Sequence, residues 1–429
     1  MRTHHFRPWD GKCLWVMLAC LSWMGALVLK ADTHYVSLGG GNVPPYTNGW
    51  ASAATNIQDA IDNALTVSGD TVLVSNGVYQ TGGKILNIAG ATLTNRVAIT
   101  KDITVQSLNN DPANTIIKGA GPNGPNAIRG VGMRYTASKL VGFTVTEGAT
   151  LISGLPDDDN NYGGGAAGGL VSNCIIVGNT ASSYGGGSYN SKIYNSLIKS
   201  NAASAGSGGA MCTIYDSVVS YNRGSGNTTG GGGYSCTMYN CMLIYNFAVS
   251  TGGGHMGVYY NCLIYGNQVS DNGNAAGLSG AFSAYNCTIT GNKGVGGGAG
   301  GVRVGSASTR IYNSVIYSNS APEWQIFAPA VSSLVFSNSC TTNAVVDWAA
   351  GNITNDPLFF AYGIGYGTNH VPGNYHLQVN SPCVNRGVNL SQSWMTNGVD
   401  LDNRTRIRYG AVDMGAYEVI YRGMIFKAR

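Results

Sequence analysis

One block of seven residues returns seven times between residues 173 and 319, and it constrains the fold more than any other feature. The copies read NCIIVGN, NSLIKSN, DSVVSYN, NCMLIYN, NCLIYGN, NCTITGN and NSVIYSN, and they start 21 to 27 residues apart. A repeat of this period indicates a solenoid, in which each unit packs on its neighbours. The blocks are too short for helices, and they are rich in β-branched and aromatic residues bounded by glycine. We therefore predict a parallel β-helix with one coil per repeat.

Glycine and charge usage agree with this prediction. Of the 429 residues 63 are glycine, whereas only 10% are charged. Many glycines stand in clusters between blocks, as at residues 231–233, where a coil needs sharp corners. No cluster carries the Lys-Ser/Thr of a phosphate-binding loop. The net charge is only +4 and no run of Lys or Arg occurs, so we expect no nucleic-acid partner.

The blocks also predict which side chains face the core. With the first block residue counted as zero, position one is always Cys or Ser and position three is always Ile, Leu or Val. Odd positions share one face of a strand, so both columns should point inward. Cysteines stacked in successive coils cannot all pair, and buried thiols behave as small hydrophobes. We expect free thiols at Cys212, Cys236, Cys241, Cys262 and Cys287. For Cys340 and Cys383 the sequence allows either a disulfide or two free thiols.

Three further columns follow from the repeat. The last block residue is always asparagine, which predicts left-handed turn residues whose amides bond from coil to coil. Position two is mostly apolar although it should face outward, so it is either a contact surface or is covered by loops or the C-terminal segment. Tyrosine precedes six blocks and predicts an outer stacked ladder. It could also hold sugar rings, and the candidates are Tyr215, Tyr239, Tyr260 and Tyr285.

The two ends differ from the repeats. Residues 1–31 have basic residues before an uncharged apolar run, which predicts a secretory signal peptide, with an uncleaved anchor as the alternative. No later stretch could span a membrane as a helix, so we expect a secreted or cell-surface protein. Residues 32–69 should form an N-terminal cap, with an amphipathic helix from Asn56 to Leu65. Residues 70–320 should form the β-helix, and residues 321–429 its final coils and a C-terminal capping module.

These segments resemble a known class of proteins. The stretches YVSLGGGNVPPYTNGWASAATNIQDAIDNA and GDTVLVSNGVY resemble the cap and first coil of secreted, pectin-lyase-like right-handed parallel β-helix proteins. The central coils are similar to repeats of polymorphic outer-membrane proteins. NDPLF, NYHLQVNSPCVNRG and DLDNRTRIRYGAVDMGAYE resemble a C-terminal module of such bacterial proteins. The resemblance implies an all-β solenoid of about 10–11 coils. It does not imply one activity, because this fold hosts lyases, hydrolases and adhesins.

Charged residues limit the possible chemistry. A polysaccharide lyase needs a base and a cation that neutralises the substrate carboxylate. The candidates are Arg303, Arg310, Lys293 and His255. The regular coils contain only two acids, Asp216 and Asp271, which disfavours a hydrolase with paired carboxylates. Asp157, Asp158 and Asp159 could bind Ca²⁺, although a solvated acidic loop is the favoured explanation.

The sequence favours binding over catalysis. A rigid rod that presents tyrosine, asparagine and serine suits contact with extracellular polysaccharide or a cell-surface glycan. The alternative is a polysaccharide lyase of the pectin-lyase-like fold. Scarcity of charged groups is the reason for placing binding first.

Overall fold

The computed structural model describes residues 31–421, except residues 64, 87–90, 153–158, 271–273, 307, 321–324, 328–334, 343–349 and 397. The predicted signal peptide lies outside these ranges apart from its last residue. Among the helices in the described ranges, none is long and apolar enough to cross a membrane.

The described chain winds into three long sheets and confirms the predicted right-handed parallel β-helix. Sheet 1 contains Thr33–Val36, Thr71–Val74, Thr104–Ser107, Lys139–Val141, Leu170–Ser172, Lys192–Tyr194, Thr213–Tyr215, Thr237–Tyr239, Val258–Tyr260, Ser283–Tyr285, Arg310–Tyr312 and Val335–Ser337. Sheet 2 contains Gly77–Tyr79, Thr115–Lys118, Thr144–Thr146, Ile175–Val177, Leu197–Lys199, Val218–Ser220, Met242–Ile244, Leu263–Tyr265, Thr288–Thr290, Val315–Ile316 and Cys340–Thr341. Sheet 3 contains Lys84–Ile85, Thr94–Ile99, Ile128–Met133, Ala166–Ala167, Ser188–Tyr189, Gly209–Ala210, Gly233–Tyr234, Gly254–His255, Leu278–Gly280, Val302–Val304 and Ile326–Phe327.

Smaller elements complete the fold. A fourth parallel sheet at one corner contains Ala202–Ala205, Arg223–Thr229, Phe247–Ala248 and Gln268–Val269. Phe359–Ala361 and Asn374–Leu377 form an antiparallel pair. Among the described residues, the α-helices are Ile57–Asp62 and Ser393–Thr396, and the 3₁₀ turns are Trp50–Ser52, Leu108–Asn110, Asp159–Asn161 and Gly367–Asn369.

The predicted inward columns are confirmed. Sheet 2 pairs its coils in strict register, with Ile176 beside Ile198 and Ile198 beside Val219. Every position-three aliphatic residue is fully buried, and so are the small residues at position one. All eight cysteines in the described ranges are buried free thiols. Cys340 and Cys383 are among them, and the Cys340 thiol donates to Asn355 O.

The asparagine ladder forms as predicted, but its backbone is not left-handed. The backbone N–H and Nδ2 of Asn222 both donate to Asn246 Oδ1 at 3.0 Å. All seven ladder asparagines are described and none has a positive φ; the left-handed residues are the first of each block, such as Asn240 at φ 52°, and the one before the ladder, such as Tyr245 at φ 56°. The ladder carbonyls also bond the next coil, as when Phe247 N donates to Asn222 O.

The N-terminal helix is shorter than predicted. It begins at Ile57 after the cap residue Asn56, whose side chain accepts a hydrogen bond from Asp59 N, and it ends at Asp62. Asn63 ends it because its side chain accepts a hydrogen bond from Leu65 N, which competes with the helical pattern. Ile57 and Ile61 are buried in the main core beside the first coils.

The C-terminal module covers part of the apolar outer stripe of sheet 2. Leu263, Tyr265 and Val315 form one buried cluster with Phe359 and Tyr375. Of the two explanations for the stripe, cover by the C-terminal segment therefore holds for the later coils. In the earlier coils Ile175, Leu197 and Val218 remain half-buried.

Candidate functional site

A column of outward side chains on sheet 3 brings together two of the predicted site residues. Strand pairing places Tyr234 beside His255, His255 beside Ser279, and Ser279 beside Arg303. The residue before each of them in its strand is buried. Tyr234, His255 and Arg303 are half-buried, which fits a strand face turned outward, whereas Ser279 is fully buried between its neighbours. His255 and Arg303 are thus two coils apart, about 10 Å between Cα atoms, with Ser279 between them.

A chain of hydroxyls holds the His255 ring. His255 Nδ1 lies 2.8 Å from Ser279 Oγ, and Ser279 Oγ lies 2.6 Å from Thr251 Oγ1. The ring stacks on Tyr234, with centroids 5.7 Å apart and planes at 24°. A Cβ at Gly280, where φ is +82°, would come within 2.9 Å of the imidazole carbon Cε1. The close packing of the ring against this backbone therefore requires glycine.

Burial lowers the pKa of His255 below the ordinary histidine value, so the imidazole is neutral at neutral pH. If Nδ1–H donates to Ser279, Nε2 keeps its lone pair and can accept a proton. Arg303 is half-buried, and its guanidinium has five N–H donors, so it can bind a carboxylate while keeping a contact within the protein. The column therefore pairs a neutral base with a permanent cation on one face.

The other two predicted catalytic cations lie elsewhere. Lys293 is exposed on the corner formed by Gln268, Lys293 and Ser320, next to Gly367 of the C-terminal module. Arg310 opens a strand of sheet 1, where its Nη1 donates to Thr309 O. The fold therefore distributes the four candidates over three faces and gathers only His255 and Arg303.

The predicted tyrosine ladder stacks along the outside of sheet 1. Ring centroids from Tyr194 through Tyr312 are 4.6 to 5.7 Å apart, and the planes tilt by at most 9°. Trp394 packs against Tyr260 and Tyr285, at 4.6 and 5.5 Å. Burial and the neighbouring phenols raise the pKa of Tyr260 to about 12. A sugar-binding role for Tyr215 and Tyr239 remains a prediction.

The acidic run is only partly described. Asp157 and Asp158 lie outside the described residues, whereas Asp159 opens a 3₁₀ turn and its carbonyl accepts a hydrogen bond from Arg129. In the part of the chain that the structure describes, no three His, Cys, Asp or Glu side chains are grouped as metal ligands. Calcium binding at this run stays a prediction.

Sequence reasoning missed Ser279, Thr251 and the buried Arg129. The column is hidden because the corner lengths differ: Tyr234 and His255 each stand six residues before their block, but Ser279 stands seven and Arg303 ten residues before. Counting a fixed number of residues back from each block therefore aligns Tyr234 with His255, but it does not align Ser279 or Arg303 with them. A sequence alone could have revealed this column only through the glycines that precede several sheet 3 strands, as at residues 231–232 and 300–301.

Comparison with known proteins identifies the fold. No family model and no curated protein matches the chain. The chain is similar to the crystal structure of pectate lyase Pel9A, with 17% identity and a TM-score of 0.53, covering 91% of this chain and 96% of the other. It also matches a rhamnogalacturonan lyase, with 11% identity and a TM-score of 0.36, over 77% of this chain and 91% of the other. The protein is therefore a right-handed parallel β-helix of the pectin-lyase-like fold.

Proposed function

We propose that the protein is a lyase-type enzyme that cleaves uronate-containing polysaccharide on the outer face of sheet 3. The observation that carries the proposal is the His255–Ser279–Arg303 column, which pairs a neutral imidazole with a guanidinium. The fold similarity to a pectate lyase supports this class of reaction over simple binding. We further propose that the protein is exported and meets its substrate outside the cell.

The geometry suits β-elimination. A sugar ring resting over Ser279 would have the imidazole of His255 on one side and Arg303 on the other. His255 Nε2 would take the proton adjacent to the carboxylate, and Arg303 would stabilise the enolate that forms. The electron pair then forms the carbon–carbon double bond as the glycosidic oxygen leaves and takes a proton from water. Ser279 is a positioning residue, because it acts through the ring of His255.

Binding without cleavage is the second candidate, and one observation favours it. The ladder residues Tyr194, Tyr215 and Tyr239 form a stacked aromatic surface at the end of the ladder away from Trp394. Aromatic surfaces of this kind can contact sugar rings by their apolar faces. An adhesin-like role would use this sheet and would not need His255.

The deciding experiment measures turnover on polygalacturonate, alginate and a neutral glucan by the ultraviolet absorbance of unsaturated products. We expect turnover on a polyuronate only, and a loss of about 10² to 10⁴-fold in His255→Ala. Arg303→Ala should lose turnover similarly, whereas Lys118→Ala, which removes a cation from a surface ion pair with Glu147, should not. Retention on immobilised glycan without any turnover would establish the binding function and overturn the lyase proposal.

A further inference from the structure

A cleft lies on sheet 3, on the N-terminal side of the His255 column. Its volume is about 280 Å³, and its walls include Arg129, Arg134, Tyr135, Tyr162 and Tyr189. Tyr189 belongs to the same outward column as His255, three coils earlier and therefore about 14 Å away. One extended polymer could thus contact both places.

Arg129 is a buried cation that is held mainly by neutral groups among the described residues. It is 4% exposed, and Nε and Nη2 donate to the carbonyls of Tyr162 and Gly163. Nη1 donates to Asn95 Oδ1 at 3.0 Å. In the described part of the chain no carboxylate comes within salt-bridge distance of Arg129, although the Asp159 charge favours its charged form.

Such a site favours an anionic ligand. Burial lowers the pKa of Arg129 to about 10, so the guanidinium stays charged at neutral pH. Removing a charge from water costs free energy unless an opposite charge or strong hydrogen bonds compensate it. Neutral carbonyls supply only part of that compensation, and an entering carboxylate would supply the rest.

The mouth of the cleft provides groups for a sugar ring. Tyr135 is 42% exposed, and the guanidinium of Arg134 lies 5.6 Å from its ring centroid. Inside, the rings of Tyr162 and Tyr189 lie 4.6 Å apart at 34°. A concave site with aromatic walls and a few placed polar groups is typical of small-molecule binding, and arginine binds carboxylates in a two-pronged geometry.

We propose that this cleft binds a carboxylated sugar, a uronate residue of an acidic polysaccharide, between Arg129, Arg134 and Tyr135. This proposal rests on the proposed function for the identity of the polymer. The cleft would give sheet 3 a second place, besides the His255 column, at which the same polymer is held. The proposal does not require that the polymer be cleaved.

The test uses the full-length His255→Ala protein, so that binding is measured without turnover. Titration calorimetry with a trigalacturonate and with maltotriose compares a uronate with a neutral sugar of the same length. We expect binding of the uronate only, and affinity about tenfold weaker after a further Arg134→Ala or Tyr135→Ala change. Both residues are exposed, so these variants should fold even where Arg129→Ala does not.

The controls separate this proposal from the lyase proposal. Lys118→Ala in the same background should leave the affinity unchanged. Equal affinity for maltotriose, or unchanged affinity in both cleft variants, would overturn the cleft assignment whatever the turnover assay shows. Uronate binding that depends on Arg134 and Tyr135 would support it even if the wild-type protein cleaves none of the polymers.

Discussion

At the scale of single residues, the size and the hydrogen-bonding groups of a side chain decide whether it fits the interior of the coils. Small residues at position one and aliphatic residues at position three fill the core because only those shapes stack from coil to coil. The aromatic core residue Tyr259 departs from this hydrogen-bonding pattern. Tyr259 is fully buried, yet its hydroxyl is without a hydrogen-bond partner among the described residues.

We expect Tyr259→Phe to raise the stability of the protein by about 1 kcal/mol, because it removes a buried polar group that gains nothing in the fold. The urea midpoint, followed by circular dichroism, measures the change. Tyr79→Phe is the matched control, since the Tyr79 hydroxyl donates to Ser75 O at 2.9 Å, and it should lower the midpoint. A lower midpoint for Tyr259→Phe would mean that this hydroxyl has a partner after all.

The pH profile of turnover follows from His255. Burial lowers its pKa below the ordinary value of 6.5, and a base must be unprotonated to work. The acid-side midpoint of turnover should therefore lie below pH 6.5. The profile of kcat/KM on polygalacturonate measures this, and an acid-side midpoint above pH 6.5 would exclude His255 as the base.

At the scale of elements, stacked identical residues hold the turns between sheets 2 and 3. Each ladder amide bonds both the backbone and the amide of its neighbour, so one asparagine serves two coils. Identical neutral residues can repeat in this way, whereas like charges one coil apart would repel. This explains why the stacked positions along the rod carry neutral side chains such as asparagine and few charged ones.

We expect Asn246→Ala to cost about 3 kcal/mol or more, because it leaves buried groups of Asn222 and Val219 unpaired. Thermal unfolding followed by circular dichroism checks the size of the loss. Asn240→Gly is the control: it removes two outer hydrogen bonds, to Asp216 and from Asn261, but tolerates φ of 52°, and it should cost about 2 kcal/mol or less. Similar losses in both variants would show that burial of the ladder does not matter.

At the scale of the molecule, the C-terminal module returns along the rod and covers apolar surface. Asn261 Nδ2 donates to Val399 O, and Asn313 Nδ2 donates to Val388 O. The side chains of these first block residues therefore hold the backbone of the module against the rod. Phe359, a residue of the module, packs beside Tyr375 and is only 2% exposed. The module is therefore part of the core of the late coils.

Phe359→Ala should destabilise the protein by about 3 to 5 kcal/mol and loosen the module from sheet 2. Urea unfolding measures the stability, and the fluorescence of an apolar dye measures newly exposed surface. Phe360→Ala is the matched control, because Phe360 is 61% exposed, and its effect should stay within about 0.5 kcal/mol. Equal effects of the two variants would contradict a packed module.

The repeat alone determined the coil, its register and its ladders. Each coil of a solenoid contacts mainly its neighbours, so a short periodic pattern carries most of the information about the structure. The buried position of Ile264 or Asn267 could be read from seven residues. The conformation of the turn could not, because the tolerance of asparagine for left-handed backbone pointed to the ladder position, whereas the left-handed residues are the first of each block and the one before the ladder.

Only the tertiary structure decided where chemistry can occur. His255, Ser279 and Arg303 align because corners of unequal length place their strands side by side, and no local pattern encodes that alignment. The cover over Val315 comes from Phe359 and Tyr375, which follow it by more than forty residues. The carbonyls of Tyr162 and Gly163 that hold Arg129 likewise come from a segment more than thirty residues away. Contacts between distant segments leave no periodic trace, which is why the sequence determined the rod and the fold determined its sites.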